Sequence, residues 1–192
     1  MATTTWNPSD KNASVTLSGG DLVASTPGGG FFAVRGSTSK SSGKWVFEIN
    51  IDTGTQHMVG FANSTQVLTT YPGAAGNNSI GYYSSAGERF LNGSSAAYGT
   101  GFALGDDVMC CVDADARTCF FIRNGTSYAS IDISAISGAL FPCWSSNTSA
   151  SVTTNFGATA FVNTVPSGYE AWNNDAGGGG SAPKRALLLG VG

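Results

Sequence analysis

The chain has 192 residues, 41% of them hydrophobic, enough for one domain with its own core and a tail. Nine basic against twelve acidic side chains give a net charge of -3, and the longest apolar run, ALLLGVG at 186–192, is too short for a bilayer; neither nucleic acid nor membrane insertion is expected. Only 11% of residues are charged, against roughly a quarter in ordinary soluble domains, and Ser, Thr, Asn and 27 Gly supply the polarity, which favours turns and half-exposed strands over helices.

In chain order, Val15 and Leu17 alternate with polar neighbours, and DLVAS follows a Gly19-Gly20 turn, so the chain opens on a hairpin. Trp6 is expected to anchor the N-terminal strand. A glycine-loosened loop leads into a strand at Phe31 to Val34. In GKWVFEINID, Trp45, Phe47, Ile49 and Ile51 share an apolar face, and Val46, Glu48, Asn50 and Asp52 share a mixed one. MVGFAN is the next strand. STQVLTTYPGAAGNNS, residues 64–79, is too rich in Gly, Pro and Asn for a regular element, and a loop that long in a compact domain is functional or disordered. SIGYY is a strand with one of Tyr82 and Tyr83 buried, and Asn92-Gly93 marks a turn. The clearest hairpin pairs Val108 to Val112 with Thr118 to Arg123, followed by a tight turn at Asn124-Gly125. ALFPCWSS and SASVTTNFG complete the strands, with Pro142 at an edge or a strand start. Trp45 and Trp144 read as core. After VPSGYEAW the composition changes to a glycine-rich linker and a basic, apolar tail.

Chemistry finds little support. Glycoside cleavage needs two carboxylates about 5 to 10 Å apart. Glu48 and Asp52 are the tempting pair, but four residues of extended strand hold them roughly 13 Å apart. Glu48 is therefore expected on an exposed strand face or paired with Lys or Arg. Glu88 falls in a turn and Glu170 near the end of the sandwich. His57 stands beside a turn with no nucleophile motif, as an exposed or loosely packed residue. Asp106, Asp107, Asp113 and Asp115 lack the spacing of a calcium loop and suit turn and cap duty. Cys110, Cys111, Cys119 and Cys143 have no CxxC spacing; they read as free, packed thiols, with a disulfide from Cys119 to Cys110 or Cys111 as the alternative. No catalytic residue, metal or cofactor is expected.

The ordered set GKWVFEINI, VGFANS, SIGYYSSAG, YGTGFALGDDVMCCVDADARTCFFIRNG, LFPCWSS, SVTTNFG and PSGYEAW resembles the SPRY domain. The resemblance implies an all-β, two-sheet antiparallel β-sandwich, a concanavalin-like jelly roll, that binds partners through loops and performs no chemistry. Residues 31–172 would form that domain, 1–30 would add strands that complete the sandwich, and 173–192 would be linker and tail. The lead-in, NPSDK followed by VTLSGG, is similar to SPRY-bearing proteins of bacterial viruses. With an N-terminus that lacks the marks of a secretory signal, it makes a bacteriophage virion protein, assembled in the host cytoplasm and released by lysis, the main expectation. Its loops would bind a host-surface glycan or other receptor through Asn63, Tyr71, Asn77, Asn78, Tyr83 and Arg89, which combine aromatic faces for sugar rings with polar groups for hydroxyls. The alternatives are a capsid or tail decoration protein that binds other virion subunits, and a cytosolic SPRY adaptor. Lys184, Arg185, Leu187, Leu188 and Leu189 are expected to dock on a neighbouring chain, possible in a homo-oligomer.

Overall fold

A computed structural model describes residues 3–174. Its strands, in chain order, are β1 (Trp6–Lys11), β2 (Thr16–Ser18), β3 (Val23–Pro27), β4 (Phe32–Gly36), β5 (Lys44–Thr53), β6 (His57–Ala62), β7 (Ser79–Tyr83) and β8 (Glu88–Leu91). They continue as β9 (Ser94–Ala97), β10 (Asp107–Asp113), β11 (Thr118–Arg123), β12 (Thr126–Ser127), β13 (Ile131–Asp132), β14 (Phe141–Ser146), β15 (Ser149–Asn155) and β16 (Glu170–Ala171). One sheet runs β1-β4-β14-β6-β7-β8-β9, and the other runs β12-β11-β10-β5-β15-β3-β2, with β13 beside β11 and β16 beside β5. The first thirty residues supply β1 to one sheet and β2 and β3 to the other. Every pairing between strands is antiparallel except β16 on β5.

Between the sheets lies a core built from the alternation seen in the sequence. Trp45, Phe47, Ile49 and Ile51 of β5 meet Val59 and Phe61 of β6, Phe121 of β11, Trp144 of β14 and Val152 of β15. Trp6 joins this core from the β1 edge, and its indole N–H donates to Thr154 Oγ1 of the opposite sheet at 3.0 Å, so the N-terminal strand is pinned across the sandwich. Tyr82 is buried and Tyr83 is half-buried, as their alternation requires.

Three expectations need correction, those for Glu48, His57 and Glu88. The face of β5 that carries Val46 and Glu48 is closed, because Met109, Cys111 and Ile122 form a second apolar cluster there, covered by Phe161, Val165 and Tyr169 as the chain after β15 folds back to re-enter as β16. Glu48 is accordingly neither exposed nor ion-paired: it is 3% exposed and accepts the N–H groups of Val162 and Asn163 at 2.8 Å each and Asn163 Nδ2 at 2.7 Å. His57 is fully buried, since β6 lies between β14 and β7, and its Nδ1 accepts the Trp144 indole N–H at 3.3 Å. Glu88 opens β8 rather than sitting in a turn.

Other features match the local chemistry of the sequence. β10 and β11 pair in continuous register from Val108 with Arg123 to Asp113 with Thr118. The carboxylate of Asp113 accepts the N–H groups of Asp115 and Ala116 in the turn between them, and Asn124 takes the positive φ of the next turn. Pro142 is at the start of β14, but β14 is an interior strand and not an edge. All four cysteines are free and buried, which leaves the disulfide alternative without a pair.

Candidate interaction surface

The outer face of the first sheet is set by alternation along β4, β14, β6, β7 and β8. One row across it reads Ala33, Ser145, Met58, Tyr83, and the next reads Arg35, Cys143, Gly60, Gly81, Phe90. Two glycines stand in the middle of the second row, and the 63–78 loop passes close over the second of them, Gly81. A Cβ on Gly81 would stand 2.2 Å from the carbonyl oxygen of Pro72, and one on Gly60 would stand 2.1 Å from that of Ile80. The glycines are there because backbone passes where side chains would be.

The loop is held by polar groups that it buries. Arg35 forms a fork with Asp10, at 2.7 Å for both Nε and Nη2, and turns its other nitrogen to the carbonyls of Gln66 at 2.7 Å and Asn63 at 3.4 Å. Asn63 accepts the N–H and hydroxyl of Thr65 and donates to the Ser137 carbonyl at 3.0 Å. Asn77 accepts the Val67 N–H at 2.8 Å, and Ser79 Oγ accepts the Gly73 N–H at 2.7 Å while donating to Gln66. Leu68 covers Ala33, Ala62 and Cys143 beneath. A loop with this many internal bonds has one conformation to offer a ligand, so little ordering cost falls on binding.

At the margin of the loop the outer face opens into a recess of about 160 Å³ lined by Phe31, Met58, Tyr71, Tyr83 and Phe90. Tyr71 meets Phe31 edge-on at 4.8 Å and Phe90 at 5.6 Å, and Tyr83 meets Phe90 at 5.9 Å. The recess walls are aromatic rings and one thioether, all half-buried except Met58, which is buried at the base. Such a site is shaped for an apolar group.

Of the six residues singled out from the sequence, the structure brings Tyr71 and Tyr83 together in this recess. Asn63 and Asn77 are buried and their amides are already bonded, Asn63 to Thr65 and the Ser137 carbonyl and Asn77 within the loop. Asn78 is half-buried and donates to Thr65 Oγ1 at 3.0 Å. Arg89 is paired with Tyr82, so it lies on the opposite face from Tyr83 and Phe90 and does not join them. The tail residues Lys184, Arg185, Leu187, Leu188 and Leu189 lie outside the described residues. Sequence reasoning missed Phe31, Met58 and Phe90. The alternation of GERFL places Phe90 on the Tyr83 face, but only the pairing of β7 with β8 makes them neighbours.

A family model described as the SPRY domain matches residues 44–159. The chain belongs to the SPRY family. Over 179 residues it is 30% identical to Ran-binding protein 9 of Xenopus tropicalis, covering 87% of this chain and 32% of that protein. Against the human Ran-binding protein 9 it is 28% identical over 179 residues, covering 87% of this chain and 24% of that protein. The chain thus spans about a third or less of the length of these relatives. The SPRY domain of human HERC1 superposes with a TM-score of 0.70 at 19% identity, covering 81% of this chain and 99% of that one. This SPRY sandwich is the all-β, two-sheet fold that the ordered motifs imply.

Proposed function

We propose that this SPRY domain is a non-catalytic protein-interaction module, whose aromatic recess receives a large apolar side chain from a segment of a partner protein. The single observation that carries the reading is the recess itself: aromatic rings and a thioether around an open cavity, beside a loop held by hydrogen bonds from Arg35 of β4 and within itself. Rigid aromatic walls are what interaction hot spots use, because they bury area at small entropic cost. Relatives that carry protein binding in their names support the same class of partner.

The two ionisable groups best placed for chemistry by sequence are committed elsewhere. Glu48 accepts three hydrogen bonds under a covering loop, and Nδ1 of His57 is taken by an indole. Both support a binding role over a catalytic one. The virion and host-glycan setting rests on surface composition and on the lead-in of the first thirty residues. The animal relatives favour the third expectation, a cytosolic adaptor, and four free cysteines are in keeping with a reducing compartment.

The test is selection of peptides from a random display library on the full chain, followed by affinity measurement. Selected peptides should carry a Leu, Phe or Trp anchor. Tyr71→Ala and Phe90→Ala should each weaken them about tenfold or more, while Ser151→Ala on the other sheet should leave them unchanged. Peptides that bind the Tyr71 and Phe90 variants as well as the parent would refute the reading.

A further inference from the structure

We propose that the recess has a ligand within this chain: the segment 184–189, with a leucine in the aromatic cavity and the basic pair beside Glu88. The inference rests on the recess being an interaction site, and it names one occupant.

Reach comes first. Trp172 is bonded through its indole N–H to the Thr38 carbonyl, and the Asn174 carbonyl accepts Lys40 Nζ, so the last described residues sit just past the C-terminal end of β4. Phe31, a wall of the recess, immediately precedes the other end of β4. Seven residues of strand from Phe31 to Thr38 span about 23 Å. The thirteen residues from Asn174 to Leu187 can span about 45 Å at full extension, and a glycine-rich chain of that length has a root-mean-square span of about 20 Å. Even with the sideways offset from β4 toward β8, the tether reaches the recess without full extension, as intramolecular capture requires.

Charge and spacing come second. Glu88 and Phe90 are two apart on β8 and share the outer face with Tyr83. Glu88 is half-buried, and its carboxylate has no hydrogen bond or ion pair among the described residues. In PKRALLLGVG, Arg185 and Leu187 are also two apart. Two residues of extended chain cover about 7 Å, so a tail laid along β8 sets Arg185 against Glu88 when Leu187 enters beside Phe90. Leu189 follows on the same side of the segment. No other part of the sequence combines three consecutive leucines with a basic pair.

Met58, at the base of the recess, is the reporter, and Met109, under the other sheet, is the internal control. Full-length chain labelled with 13C-methyl methionine is compared with the L187D/L188D/L189D variant of the same length. The Met58 methyl resonance should shift between the two, independent of protein concentration, and Met109 should stay in place. E88K should move Met58 part of the way to the variant position, and adding K184E/R185E to E88K should return it. With an effective concentration of about a millimolar and a comparable intrinsic affinity, the triple variant should bind a selected peptide about twofold more tightly than the parent.

Identical Met58 shifts in parent and triple variant would overturn the inference. So would a shift that appears only as concentration rises, which would assign the occupant to a second copy. If Met58 does not respond but Tyr71→Ala still abolishes binding of selected peptides, the inference falls and the interaction reading stands. If Met58 responds and no peptide uses the recess, the site serves the tail alone.

Discussion

Glu48 is the residue whose environment departs furthest from its local sequence. Alternation correctly puts it on the face of β5 opposite Trp45 and Phe47, but whether that face is wet depends on residues more than a hundred positions later. Its carboxylate satisfies two successive backbone N–H groups and one amide under the returning chain. Glu48→Ala should strand those donors at about 1–3 kcal/mol each where water cannot replace the acceptor, giving a loss of about 3 kcal/mol in urea unfolding; a loss below 1 kcal/mol would show that the 156–169 segment is not held this way. His57 gives a pH dependence. Burial holds its pKa below the usual 6.5, and its Nδ1 must stay unprotonated to accept the Trp144 indole N–H. The unfolded chain then binds a proton that the folded chain refuses, so stability is intact above pH 6.5 and falls as pH drops from there toward the lowered folded value, by at most about 1.4 kcal/mol per pH unit. The carboxyls of Asp106 and Asp113, held below 3.8 by the donors around them, add their own losses only at lower pH. His57→Gln should flatten the slope between pH 6.5 and 5 in denaturation measured across that range.

At the scale of elements, hairpins were legible because the information for them is local. Asn124-Gly125 and Asn92-Gly93 fix turns whose flanking strands, β11 with β12 and β8 with β9, pair across them. The 63–78 loop was legible only as a loop. Its path depends on Arg35 reaching from β4 to the Gln66 carbonyl, and on Gly81, which leaves room for the Pro72 carbonyl. Gly81→Ala tests this link. Its methyl would meet the Pro72 carbonyl at 2.2 Å and the Met58 methyl at 2.9 Å, so the loop must lift and the recess must change shape. A destabilisation of about 1–3 kcal/mol together with at least tenfold weaker peptide binding is expected. A variant with full affinity and parental stability would mean that the recess does not depend on the loop's seat.

For the molecule as a whole, the two sheets and the returning 156–171 segment enclose two apolar clusters, and thiols serve in both. Cys110 and Cys119 belong to the inter-sheet core and Cys111 to the covered outer face. Burial pushes the Cys143 thiol up to about 12 and raises the other three further. A buried thiol with so little thiolate is inert. An aromatic disulfide reagent at pH 8 should therefore label none of the four in the native chain, and all four should appear together across the denaturant transition. Early labelling of Cys143 alone would show that the sheet carrying the recess opens independently of the other.

The sequence by itself determined an all-β fold, since period-two apolar alternation and turn chemistry act over a few residues and call for a sandwich or a barrel to bury Trp45, Phe47, Ile49 and Ile51 together; the resemblance of the ordered motifs to the SPRY domain pointed to the sandwich. It also determined that Tyr82 and Tyr83 part company, one to the core and one to the surface. The tertiary structure decided which faces are open. Closing the outer face over Glu48, burying His57 and gathering Phe31, Met58, Tyr71, Tyr83 and Phe90 into one cavity all require contacts between segments distant in the chain, and no local pattern specifies which of two equally apolar surfaces another segment will cover.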